Sequence, residues 1–525
     1  MKPIYRSIVF ACLILVTKMG VAEDEGRPLP KFTVSEDTTF ITEPLTKEGF
    51  PDYPAYLNTL LSKGVTPRNN ANVRFWQALG PHPEDATMPP EFFKWMDMES
   101  PPEVGQYFVD LYRFLANERV ALKEIRKVCD DQYKAMSQPW ETADYPELAD
   151  WLKANEKPLA AVAEGARRPR YFSPLVVTDE GRIESGMIGI LLPAVQSTRA
   201  LARALAARAM LNLGEGRTKE AWEDLLTCHR LGRHVGNGAT LIEGLVGVAI
   251  EGIAMHGDLV LLEHAQPTQN KIAGYESDLK ELPPITKMAE KINGCERFMF
   301  LDSTFLIARG RAKMVAGLIG EGAEGAEFAN SLFMRFFDQG MDLDEMLKVG
   351  NEWFDRLQAA MSEPNHRQRI EGLQEVNVEL KDIAAQSKNP IVLAGLFLNK
   401  DRNKETGRMV GSIMLSLMLP ASEAVQSAED RAEQQQRNLR LAMALAAYRA
   451  DHDRYPVKLD ELSPKYVAEV PDDLFTDKPL VYRLTDNGYL LYSLGQNGKD
   501  DGGNFYDDQP QGDDLRVRMP AQDSK

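Results

Sequence analysis

Hydrophobic positions change their period along the chain, and the changes divide it. From Glu23 to about Pro90, Pro, Thr, Asn and Asp interrupt every run except two short ones, Tyr56 to Leu61 and Val73 to Leu79. Residues 23–100 are therefore expected to be an extended lead-in with short helices. Residues 101–400 carry the helical period. "LARALAARAMLNLGEG" places Leu201, Leu205, Ala209 and Met210 near one face, and "RTKEAWEDLLTCHRLGR" places Ala221, Trp222, Leu225 and Leu226 on another. Gly214 and Gly216 predict the turn between two antiparallel helices.

"LIEGLVGVAIEGIAMHGDLVLLEHA", Leu241 to Ala265, is apolar on nearly all sides and predicts a central, buried helix. Glu243, Glu251 and Asp258 argue against a membrane span, and Gly244, Gly247 and Gly252 would admit neighbouring helices closely. More helices follow from Asp278 to about Leu398, including "CERFMFLDSTFLIARG", with a connection at Glu321 to Glu327. Residues 405–525 read differently. A helical run without internal Gly or Pro extends from Pro420 to Tyr455, and strand-like text follows at Lys478 to Leu484 and Tyr489 to Leu494, around a turn at Asp486-Asn487-Gly488. The expected fold is mostly α: a helical-hairpin body, then a small α+β domain.

The first 22 residues have Lys2 and Arg6, an apolar run from Ile8 to Val16, and small residues ending at Ala22. That is the layout of a secretory signal, so the mature chain is expected in the periplasm or cell envelope or outside the cell, with no stable membrane span. Removing Met1 to Ala22 takes the net charge of the 525-residue chain from −17 to −20. So acidic a chain repels phosphate backbones, which argues against nucleic acid and favours divalent cations. Cys129, Cys228 and Cys295 remain and show no metal-ligand spacing; they are expected as small buried hydrophobes or, for two of them, one disulfide.

The stretch from Leu201 to Leu231 resembles one tetratricopeptide unit, without an equally good neighbour about 34 residues away. A single such unit cannot bury its own apolar face, so other helices must cover it. "EPLTKEGFPDYPAYLNTLLSKGVTPRNN" and "GLVGVAIEGIAMHGDL" are similar to large exported helical proteins of planctomycete-type bacteria, a likeness that brings no chemistry.

A more specific resemblance covers the last 115 or so residues. Pro420 in an apolar helix start, Tyr448, Arg454-Tyr455-Pro456, Pro471-Asp472-Asp473-Leu474, the strand "YLLYSLG" and "GQNGKDD…GDDL" together resemble the major pseudopilin of type II secretion systems. That resemblance implies a loop wrapped around a structural calcium ion. Carried over, Leu494 would offer its carbonyl, Asn497 its side chain, and Asp513 and Asp514 their carboxylates, with Asp500 or Asp501 adding an oxygen. Glycines that turn the chain tightly and carboxylates that balance charge suit the six to eight oxygens calcium takes. Two departures stand out. Asn497 occupies a position where the family usually has Asp, and the stem lies some 400 residues into the chain, where "GRMVGSIML" lacks the family's assembly glutamate. The module is expected as a reused domain.

Catalytic patterns are sparse. None of the seven histidines stands in a zinc-protease motif, and there is no Gly-x-Ser-x-Gly elbow, no Gly-Lys-Ser/Thr phosphate loop and no glycine fingerprint following a strand. Glu296, Arg297 and Asp302 interrupt an apolar helix and predict a buried ion pair. The expectation is a non-catalytic exported protein that presents or receives a protein or peptide partner. A hydrolase with dispersed carboxylates and a component of a type II secretion or pilus-like assembly are the alternatives.

Overall fold

The computed structural model describes residues 31–177, 186–190, Leu192, 194–284, 287–309, 341–386, 400–418 and 422–520. The signal segment at residues 1–22, the connection at Glu321 to Glu327 and Pro420 lie outside the described residues. The described chain is mostly helical with one small sheet.

In chain order the helices are α1 (Tyr53–Leu61), α2 (Ala71–Leu79), α3 (Pro90–Trp95), α4 (Leu111–Asn117), α5 (Leu122–Ala135), α6 (Pro146–Ala154) and α7 (Glu156–Ala166). There follow α8 (Ala194–Gly214), α9 (Thr218–Gly236), α10 (Leu241–Ala265) and α11 (Gln269–Lys280). A turn of helix at Met288–Lys291 runs through a π-turn, Ile292–Glu296, into α12 (Arg297–Ala308). The last four are α13 (Leu343–Met361), α14 (His366–Gln386), α15 (Arg402–Met418) and α16 (Ser422–His452). Side-chain caps start several of them. Asn70 accepts from the Asn72 amide, Asp110 from that of Arg113 and Asp342 from that of Glu345; Thr240 and Glu243 form a reciprocal box at α10.

By its contacts the chain divides into two units that interleave along the sequence. One contains residues 1–60, 175–191 and 289–423, the other residues 61–174, 192–288 and 424–525. In the first unit, aromatic residues of the lead-in pack on α12: Phe32 and Phe50 against Phe305, and Phe40, Tyr53 and Tyr56 against Phe298. Arg297, fully buried, lies 4.3 Å below the Phe40 ring and pairs with Asp355 of α13. Asp302 accepts instead from the Met187 amide. The cation of the expected pair is thus buried, but its partner is Asp355 of α13, whose side chain is 67% exposed, so the pair is not a fully buried one.

Helix α15, which carries the apolar run "GSIMLSLM", lies against α13. Val410, Ile413, Met414 and Leu415 are buried, and Ser412 accepts from the Trp353 indole. Gly411 makes the approach close, since a Cβ there would stand 2.5 Å from a Val349 methyl and 3.0 Å from the Met346 carbonyl.

The second unit is built on α8, α9 and α10. The helical hairpin read from Leu201 to Leu231 is present as α8 and α9, joined by three residues with Gly216 at φ +79°. At the turn Gly214 touches the Trp140 backbone, where a Cβ would come within 2.2 Å of the carbonyl oxygen. Helix α10 is 25 residues long and apolar enough to cross a membrane, yet 61% of its most apolar window is buried in the protein. Burial against α8 and α9 explains its composition.

The sheet has strand order β1 (Val481–Thr485), β2 (Gly488–Ser493), β3 (Leu515–Met519), antiparallel throughout, with Tyr482 opposite Leu491 and Leu491 opposite Val517. Every residue of β2 is buried. Tyr489, Leu491, Val517 and Met519 join one hydrophobic cluster with Leu441 and Leu445 of α16 and with core residues of α8 to α11. Inside this unit the terminal module and the helices therefore share a core. Among the described residues Cys129, Cys228 and Cys295 form no disulfide; the last two are buried, as expected of small hydrophobes.

Candidate metal centre

The loop between β2 and β3 is shaped by backbone conformation before any ligand chemistry enters. Gly495 has φ +64°, and a Cβ there would lie 2.2 Å from the Asp513 carbonyl oxygen, so the position requires glycine twice over. This folding back brings Asp501, Asp513 and Asp514 together, with one carboxylate oxygen from each lying within 4.8 Å of the others.

Backbone amides hold the three in place. Asp514 Oδ2 accepts from the amides of Asp501 at 3.0 Å and Gly503 at 2.7 Å; Asp513 Oδ2 accepts from that of Asn497 at 3.0 Å. Asp501 Oδ2 accepts from the Asp513 amide at 3.2 Å and from Asn497 Nδ2 at 3.1 Å. The second oxygens of Asp513 and Asp514 are buried and receive no donor. Asp514 is 0% exposed. Burial, with the Asp501 charge adding to it, pushes Asp514 up to about 6 against the amides that donate to it. Burial raises Asp513 as well. Hard oxygen donors, like charges crowded together and buried lone pairs without donors fit a hard divalent cation, which would neutralise the charge and take up those lone pairs.

The residues singled out by sequence divide accordingly. Asp513 and Asp514 fall in the cluster. Of the two neighbours left open, Asp501 joins them; Asp500 accepts from Tyr492 Oη at 2.8 Å, from the Gly502 amide at 2.9 Å and from Arg483 at 3.3 Å. The Tyr492 hydrogen bond, then that of Gly502, hold Asp500 below its ordinary range, so it latches the loop to β1 and β2. Asn497 borders the cluster through its amide nitrogen, while its Oδ1 accepts from the Lys499 amide at 2.6 Å. Leu494 enters through its N–H, which donates to Asp473 at 2.8 Å.

Asp473, from the aspartate-rich turn, is buried and also accepts from Ser493 Oγ at 3.0 Å and the Phe475 amide at 2.9 Å. It fixes where β2 ends and the loop begins. A second support comes from α16. Gln434 accepts from the Leu474 amide at 2.8 Å and donates to Asn438, which donates to the Leu515 carbonyl, both at 2.7 Å. Strand β3 itself was not anticipated, although "LRVRM" alternates: Leu515, Val517 and Met519 are buried and Arg516 is exposed. The acidic text before it hid so short a run.

A second group of ionisable side chains, also unforeseen, lies between α9 and α10. His229, 2% exposed, stands between Glu251, 3.2 Å from Nδ1, and Asp258, 2.8 Å from Nε2, and Arg233 lies 3.2 Å from Glu251. Burial opposes the imidazolium, but Asp258 and Glu251 outweigh it and push His229 up to about 10. Burial raises Asp258; Glu251 is lowered because His229 and Arg233 overcome its burial. His234, five residues along the same helix, has other partners. His234 donates through Nε2 to the Ala166 carbonyl, 3.0 Å away, and burial lowers it to about 4. In comparisons with known proteins, no family model, no curated protein and no solved structure matches this chain.

Proposed function

We propose that this chain is an exported, non-catalytic binding or scaffold protein of the cell envelope, in which a pseudopilin-like module is closed by a structural calcium ion and built into a helical body. The observation that carries the reading is the Asp501, Asp513 and Asp514 cluster with two buried, donor-free carboxylate oxygens. Calcium suits it better than magnesium, because a glycine-rich loop tolerates irregular, high-coordination geometry while magnesium demands a near-ideal octahedron. Leu494 would add a carbonyl oxygen and water the remainder.

Burial of the stem start against α13, and the core that the module shares with α8 to α11, favour a fixed domain over a free pilus subunit. An assembling stem would present its apolar face to a neighbour. The helical body is then the part that meets a protein or peptide partner.

Thermal unfolding of the full chain with calcium and with chelator tests the proposal. The shared core makes the full chain, not the isolated module, the proper sample. A ligand bound only by the folded state raises the midpoint as its excess grows. The expected result is a rise with calcium that disappears in the Asp513→Ala, Asp514→Ala variant. No rise in the parent would remove the calcium site and with it the main support for the pseudopilin likeness.

A further inference from the structure

The chain contains four Asn-Gly pairs, in which the asparagine side chain is open to attack by the peptide nitrogen that follows it, since glycine places no Cβ in the way. Regular structure holds three of them. Asn237 ends α9, where the Gly238 N–H donates to the Val235 carbonyl at 2.9 Å; Asn293 lies in the π-turn; Gly488, after Asn487, pairs with Thr485 at the hairpin turn. The fourth, Asn497-Gly498, is exposed in the loop that carries Asp501, Asp513 and Asp514. Asn497 Oδ1 accepts from the Lys499 amide at 2.6 Å, which folds the side chain back over the peptide that follows it and polarises its carbonyl. Gly498 has φ +65°, a Cβ there would meet only a Thr476 methyl at 3.8 Å, and its N–H makes a long bond of 3.3 Å to the Gly495 carbonyl. The Gly498 nitrogen thus lies beside the folded-back Asn497 amide and is only lightly held.

We propose that Asn497 is a site of spontaneous deamidation, and that the reaction adds a fourth carboxylate to the metal loop. The Gly498 nitrogen attacks Asn497 Cγ: the new N–C bond forms, the Cγ–Nδ2 bond breaks, and ammonia leaves with the proton that the nitrogen gives up. Water then adds across one of the two C–N bonds of the cyclic imide, giving OH to the carbon and hydrogen to the nitrogen. Both openings leave a carboxylate at position 497. The one that yields aspartate keeps the main chain at its length, whereas isoaspartate lengthens it by one carbon. The consequence for the loop follows from one contact. Asn497 Nδ2 now donates to Asp501 Oδ2 at 3.1 Å, and a carboxylate has no hydrogen to donate, so attraction turns into repulsion. A divalent cation relieves that repulsion, and affinity for such ions rises with the charge of their ligands. This second half rests on the calcium reading of the loop; the deamidation itself does not.

Two measurements on the full chain test the two halves separately. Peptide mapping by mass spectrometry after incubation at neutral pH follows the replacement of NH2 by OH at each Asn-Gly pair. Conversion should appear at Asn497 before Asn237, Asn293 or Asn487. An Asn497 that keeps its amide while one of the other three converts, or while none does, overturns the proposal. Calorimetric titration with calcium chloride then compares freshly prepared parent with Asn497→Asp, which carries the product's charge from the start. The expected dissociation constant is about tenfold lower in the variant, within the range over which ligand charge tunes such sites. Equal or weaker binding by the variant overturns the added-ligand half. Heatless titrations of both chains would remove the calcium reading and that half with it, and the mapping would still decide whether Asn497 deamidates.

Discussion

Asn438 on α16 donates through Nδ2 to the Leu515 carbonyl at 2.7 Å, one residue beyond Asp514. Helix α16 thereby grips the chain at the edge of the carboxylate cluster. Asn438→Ala strands that carbonyl and frees the Gln434 amide, at a cost of about 1–3 kcal/mol for buried groups left unsatisfied. Because the lost contact adjoins the cluster, the increase in stability on adding calcium should also shrink. Urea unfolding of parent and variant, each with calcium and with chelator, measures both. An unchanged calcium increment would mean that the helix and the loop are energetically separate.

The carboxylate pKa values set a pH dependence. Asp513 is raised and Asp514 stands at about 6, both above the ordinary value of about 3.9. Without metal, the folded protein holds protons that the unfolded chain has released. That contribution is fully present below about pH 4 and is lost as pH rises through about 6. Calcium requires the ionised form and so competes with those protons. The melting-temperature rise due to calcium should therefore be large at about pH 7.5 and small at about pH 5. Equal rises at the two pH values would place the ion somewhere other than Asp513 and Asp514.

His229 works in the opposite sense. Its folded value of about 10 lies above the ordinary value of about 6.5, so its contribution is fully present below about pH 6.5 and is lost as pH rises through about 10. His229→Ala leaves Glu251 and Asp258 buried without the cation between them, which should cost about 3–5 kcal/mol. Guanidinium unfolding between about pH 7 and 10 should show stability falling in the parent and a flatter profile in the variant. Parallel profiles would show that the imidazole is neutral in the folded state.

Local rules made much of this fold readable, and three-dimensional convergence made the rest unreadable. Period and glycine punctuation predicted α8, α9 and α10, because each buries a face that the sequence displays directly. The β-hairpin around Asp486 and Asn487 followed from alternation and a turn signal. Asp513 and Asp514 stood out by resemblance, but the choice between Asp500 and Asp501 depended on which way the loop turns after Gly498. Tyr492 and Arg483 decide that by taking Asp500 for themselves. His229, Glu251 and Asp258 span two helices, and their polar side chains interrupt runs that otherwise look like plain core. No spacing rule joins positions 22 and 29 residues apart.

Two glycines on α10, five residues apart, should respond to the same substitution with opposite signs. At Gly252 an added Cβ meets nothing within 4 Å. Gly252→Ala should therefore stabilise by about 0.5–1 kcal/mol, through the lower conformational entropy of the unfolded chain and better helix propensity. At Gly247 the same methyl would press on the Gly236 Cα at 2.5 Å and the Gly232 carbonyl at 2.7 Å, backbone atoms that move only with their whole helix. Overpacking of that kind costs about 1–3 kcal/mol and outweighs the propensity gain. Urea midpoints of the two variants check this directly. Opposite shifts would confirm that α9 and α10 touch through their backbones at Gly247, whereas a stabilised Gly247→Ala would show the helices standing farther apart than 2.5 Å implies, with room there for an ordinary side chain.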